Sequence, residues 1–149
     1  MPSLFPGVQP YAIAAATAIT IGTALPAYAV GLPDYGVIGK WRVTKALDSA
    51  DISSLDDQEA SQLIGRIFTI NRKTVKLGRA DDCLPPGFEA QLVETTGYVR
   101  KWAHASAENL GLPNPVTVVD LGCTSAFIKN RQRIVVFWKG WFFDAKRMR

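Results

Sequence analysis

The chain has 149 residues, with 17 Lys and Arg against 13 Asp and Glu, a formal net charge of +4, two cysteines and one histidine. That length suits one domain with a single core, and the mild, mixed-sign charge argues against a dedicated polyanion or nucleic-acid binder. A single histidine and no C-x-x-C leave little room for a zinc site or a Cys/His catalytic pair.

Residues 1–29 carry no charged side chain at all. Within them an apolar run, Ala12 to Leu25, is followed by Pro26 and by Ala27-Tyr28-Ala29, the order of an export signal with an A-x-A cleavage site. A helix of 14 residues covers about 21 Å, short of the roughly 30 Å of a bilayer core, so cleavage after Ala29 is expected rather than a stable membrane anchor. The mature domain, residues 30–149, is therefore expected in the periplasm or outside the cell. In that setting Cys83 and Cys123 read as one disulfide, closing a 41-residue loop worth about 4 kcal/mol of chain entropy.

After the exposed lead-in Val30–Gly36, Val37 to Leu47 alternates Trp41 and Val43 against Lys40, Arg42 and Thr44, the period of a half-buried strand. Ser54 before Leu55-Asp56-Asp57-Gln58-Glu59 predicts a helix of two to three turns capped by Ser54 and closed by Gly65. Arg66–Arg72 and Thr74–Leu77 predict paired strands, and Phe88–Thr95 another. Tyr98–Leu110 places Tyr98, Val99, Trp102, Ala103, Ala107 and Leu110 near one helical face, ended by Gly111 and Pro113. Val116–Cys123, Ala126–Lys129, Arg133–Trp138 and Trp141–Ala145 complete the chain as short strands joined by tight turns. Short links demand antiparallel pairing, and so many short strands curl to limit exposed edges. The fold expected is mainly β (α+β), a small antiparallel barrel of about seven to eight strands with two short helices.

Gly39-Lys40-Trp41 opens the first strand as G-x-W, and Arg147 follows the last one. In this the chain resembles lipocalins and small exported bacterial barrels of unassigned function. The resemblance implies that Trp41 plugs a barrel end and that Arg147 stacks over it through a cation–π contact. Phe137, Trp138, Trp141, Phe142 and Phe143 crowd the final hairpin, the inward set expected to build the core and the outward set to pack on a helix. Trp138 and Trp141, flanking Lys139 at its turn, join Trp41 and Arg147 as candidate binding residues.

Two basic clusters, Lys129/Arg131/Arg133 and Lys146/Arg147/Arg149, read as a solvated hairpin turn and a charged tail. Asp56-Asp57 and Asp81-Asp82 read as capping and turn residues rather than a carboxylate pair or a Ca²⁺ site. His104 reads as an ordinary helix-surface residue. No G-x-S-x-G, H-E-x-x-H, P-loop or dinucleotide fingerprint is present, so no cofactor, metal or catalytic set is expected. The function expected is non-catalytic binding of a small hydrophobic or amphipathic ligand, in a cavity bordered by Trp41 and the final hairpin. The alternative is protein–protein recognition in the cell envelope, as an inhibitor or immunity-type protein.

Overall fold

A computed structural model describes residues 35–78 and 87–149. The expected leader, the exposed lead-in as far as residue 34, the Asp81-Asp82 pair and Cys83 lie outside the described residues. The elements run β1 (Gly39–Ser49), α1 (Asp57–Gln62), β2 (Ile67–Ile70), β3 (Val75–Leu77), β4 (Glu89–Val93), α2 (Thr95–Ala103), β5 (Val116–Asp120), β6 (Ser125–Asn130), β7 (Arg133–Trp138) and β8 (Trp141–Arg147).

All eight strands form one antiparallel sheet in the order β3-β2-β1-β8-β7-β6-β5-β4, curled into a half-barrel. Strands adjacent in sequence pair throughout except β3 and β4, and the first and last strands close on each other, Trp41 opposite Arg147 and Ser49 opposite Trp141. The two edges are β3 and β4. Register shifts between Val43 and Lys45 and between Ala46 and Asp48 put extra residues into β1 against β8. Such bulges increase local twist and bend a strand, which suits a curled sheet.

Strand alternation divides the apolar residues between the two faces. To the inner face every strand contributes, with Trp41, Phe68, Val75, Val119, Ala126, Ile134 and Phe143 buried and Ala90 packed against them. The outer face of β5–β8 is covered by α2, through Val99 and Ala103 against Val118, Phe127, Val135 and Phe142. The aromatic hairpin is split as expected. Phe143 and Trp138 point inward, whereas Phe142 and Phe137 pack outward, Phe137 lying 4.9 Å from the Trp102 ring of α2. At the turn Gly140 has φ +86°, and a Cβ there would sit 2.5 Å from Ser53 Cα, so a side chain is excluded both by conformation and by space.

The helix boundaries correct the sequence reading. Helix α1 is capped by Asp56, not Ser54. The Asp56 carboxylate accepts from the Glu59 N–H while the Glu59 carboxylate accepts from the Asp56 N–H, a reciprocal capping box. The Ser54 N–H is instead committed to the Lys139 carbonyl in the β7–β8 turn. Helix α2 starts three residues earlier than expected, because Glu94 accepts from the Thr96 and Gly97 N–H groups. It stops at His104, in the left-handed conformation at φ +49°, well before Gly111. Strand β8 runs on to Arg147, so Lys146 and Arg147 belong to the sheet rather than to a tail.

Candidate functional site

The clearest cavity lies at the inner-face end where β1 and β8 meet. It holds about 600 Å³ and is walled by Val37, Trp41, Ile128 and Ile134, with Tyr35 at the lead-in and Asn130, Arg131 and Arg147 on its polar side. Trp41 is 1 % exposed, and its indole N–H donates to the Val37 carbonyl at 2.8 Å, tying the lead-in to β1. The inner face beyond is filled by the chain's own side chains. Phe68, Ile134 and Phe143 are each 1 % exposed, so the cavity is an open end and not a hollow interior.

Arg147 organises this end. Its guanidinium carbon lies 4.2 Å from the centroid of the Trp41 ring, within cation–π range. Its N–H groups donate to three carbonyls: Ile38 at 3.1 Å, Arg131 at 3.2 Å and Gly36. One side chain therefore ties together the lead-in, the start of β1 and the β6–β7 turn. The glycine of G-x-W has a physical reason here. Gly39 has φ +147°, and a Cβ on it would meet Arg147 Nη1 at 2.8 Å. The small residue is what lets the guanidinium lie down over the indole.

Ile134 and Arg147, at the open end of the final hairpin, border this cavity, but Trp138 and Trp141 at its turn do not reach it, which corrects their place among the candidate binding residues. Trp141 begins β8 and Arg147 ends it, about 20 Å apart at strand rise. Trp138 stands edge-on to Phe68 at 5.7 Å, and the Trp141 indole N–H donates to the Leu55 carbonyl at 2.9 Å. Leu55, Ala60 and Leu63 of the α1 region pack on the same core, so this end is covered by the chain itself. The neighbouring β6–β7 turn, Asn130 to Gln132, supplies walls to the cavity that sequence reasoning missed. Nothing local to that turn marks it; only its pairing partner β8 brings it to Trp41.

Two further polar arrangements lie away from this cavity. On the outer face Asp144, 5 % exposed, accepts from the Thr44 hydroxyl at 2.8 Å, Lys129 Nζ at 3.1 Å and Arg133 Nη1. Burial pushes its carboxyl up, but the hydrogen bonds from Thr44 and Lys129 and the charges of Lys129 and Arg133 outweigh that and leave it below the usual aspartate range. A cleft of about 340 Å³ gathers Asp51, Arg100, His104, Ser106 and Glu108. The Ser106 hydroxyl oxygen accepts from the Glu108 N–H, and no nucleophile–imidazole hydrogen bond is formed among the described residues. Nor are any three His, Cys, Asp or Glu side chains among the described residues placed to hold a metal ion together.

Cys123 lies between β5 and β6, and its expected partner falls outside the described residues. No protein family, curated protein or solved structure matches the chain.

Proposed function

We propose that this is an exported, non-catalytic, lipocalin-like binding protein whose Trp41–Arg147 end takes one small amphipathic ligand. The observation that carries the reading is the cavity of about 600 Å³, a size typical of small-molecule sites, with aliphatic and indole walls and cationic groups on one side. An acyl or ring portion would rest on Trp41, Ile128 and Ile134. A polar or anionic end would face Arg131 and the two Arg147 N–H groups that the three carbonyls leave over. The meander in which β1 and β8 pair, with a G-x-W strand under a late arginine, supports the lipocalin-like part of the proposal. A disulfide between Cys83 and Cys123 belongs to the same reading of an exported domain.

The test is titration with dansyl-labelled undecanoic acid, followed by energy transfer from tryptophan. One saturable site is expected, lost in Ile128→Trp, which fills the cavity, and kept in Trp138→Phe. Absence of saturable binding, or full binding by Ile128→Trp, would refute it. The second reading, recognition of another protein, is favoured by β4. That strand is a sheet edge whose Leu92 is 69 % exposed, and an edge strand with an open apolar side chain can accept an added strand. A Leu92→Lys variant that still captured its partner as well as the parent would remove that reading.

A further inference from the structure

The strand register sets like charges side by side on the outer face. Arg42 of β1 stands directly opposite Lys146 of β8, and Lys146 stands directly opposite Arg133 of β7. Residues paired in this way have Cβ atoms about 4.5–5.5 Å apart on one face, and like charges so placed repel. The two basic clusters that read separately as a turn and a tail are thus drawn together by β7–β8 pairing, and β1 adds a third strand of charge.

Beside Arg42 and Lys146 lies a groove of about 660 Å³, lined also by Thr44, Gln132, Arg147, Met148 and Arg149, while Arg133 is held by Asp144 and takes no part in it. No acid lines it. The nearby carboxylate, Asp144, is 5 % exposed and already engaged at both oxygens, Oδ1 with Lys129 and Oδ2 with Thr44 and Arg133. Arg42, Lys146 and Arg149 have no acidic partner among the described residues. A cationic concavity on a low-dielectric wall concentrates anions.

We infer that this groove is a second binding site, for a ligand carrying two or more linked phosphate groups. Arg42, Lys146 and Arg149 bring to the groove three cations without an acidic side-chain partner among the described residues, more charge than one phosphate group carries. Phosphate matches cationic donors best, since each group brings up to two charges and three acceptor oxygens, and guanidinium forks grip it two bonds at a time. Arg147 lines both this groove and the apolar cavity, but Arg42, Lys146 and Arg149 lie outside the cavity, so variants at Arg42 and Lys146 test the groove by itself.

The test uses the purified full chain and inorganic tripolyphosphate, followed by calorimetric titration and thermal melting. The parent is expected to bind one equivalent, with affinity falling as salt rises and with a raised Tm. Lys146→Gln and Arg42→Gln should each weaken binding about 5- to 10-fold, yet melt at or above the parent temperature without ligand because a repulsion has been removed. Lys73→Gln, at an exposed cation in the β2–β3 turn, should bind like the parent. No binding by the parent, equal affinity in Lys146→Gln and Arg42→Gln, or an equal loss in Lys73→Gln would overturn the site. Orthophosphate binding as tightly as tripolyphosphate would overturn the linked-phosphate assignment. Loss of dansyl-undecanoate binding in any of these variants bears only on the inner-face cavity.

Discussion

Arg147→Ala should destabilise the domain by about 4 kcal/mol. The side chain makes three hydrogen bonds to carbonyls, at Gly36, Ile38 and Arg131, and one cation–π contact with Trp41. Gly36 and Arg131 are exposed and Ile38 half-buried, so water can reach the orphaned carbonyls. A value below the usual range for a charged donor then applies, about 1 kcal/mol each, with about 1 kcal/mol more for the stacking. Near the melting midpoint of a domain this size, about 4 kcal/mol lowers Tm by roughly 10–15 °C. Arg147→Lys keeps the charge but loses the planar fork, and should fall about midway. The assay is urea unfolding followed by far-ultraviolet circular dichroism, with tryptophan fluorescence as a second probe. A red shift of Trp41 emission in the folded state of Arg147→Ala should accompany the loss. A change below about 0.5 kcal/mol, with emission unchanged, would refute the assignment of Arg147 as the residue that ties this end together.

Asp144→Asn removes the charge facing Lys129 and Arg133 and should cost about 2 kcal/mol, below the figure for a fully buried pair because Arg133 is 44 % exposed. The Asp144 carboxyl is held below its ordinary value, so its contribution is full above the unfolded-state value near pH 4 and is lost as pH falls through the folded one. Urea midpoints measured from pH 7 to pH 2 should therefore fall more steeply for the parent than for Asp144→Asn; parallel curves would contradict this. Non-reducing peptide mapping of the exported protein should link Cys83 to Cys123, and two alkylatable thiols would remove the disulfide from the proposal. Intact-mass measurement of the same material should place Val30 first; a retained residue 1 would overturn the proposed export signal.

Much of the sheet is legible locally. The unbroken apolar run Ile134–Trp138 and β-branching in Val116–Asp120 mark strands where strands occur, and the Asn130–Gln132 and Lys139–Gly140 turns join them. Helix starts are less legible, because Ser54, Asp56 and Glu94 are all competent caps. Asp56 takes the role in α1 through its reciprocal bonds with Glu59, while the Ser54 backbone is tied to the distant Lys139 carbonyl. Lys146 and Arg147 resemble a polar tail because the cues for their strand lie about 100 residues away, in Arg42 and Trp41. The stacking of Arg147 on Trp41 can be anticipated from the G-x-W resemblance alone. The other walls of the cavity, Ile128 and Ile134, face each other across the local β6–β7 hairpin, and what no local window of sequence holds is the β1–β8 pairing that brings Trp41 to them.

The most direct measurement of ligand binding at the Trp41–Arg147 end is a two-dimensional ¹H–¹⁵N spectrum of the protein titrated with decanoate. The account predicts saturable shifts at the Trp41 indole N–H and at the backbone amides of Tyr35, Val37, Ile128, Asn130 and Arg131, with the Trp138 and Trp141 indoles unmoved. Shifts centred on Trp138 and Trp141, or none that saturate, would contradict it.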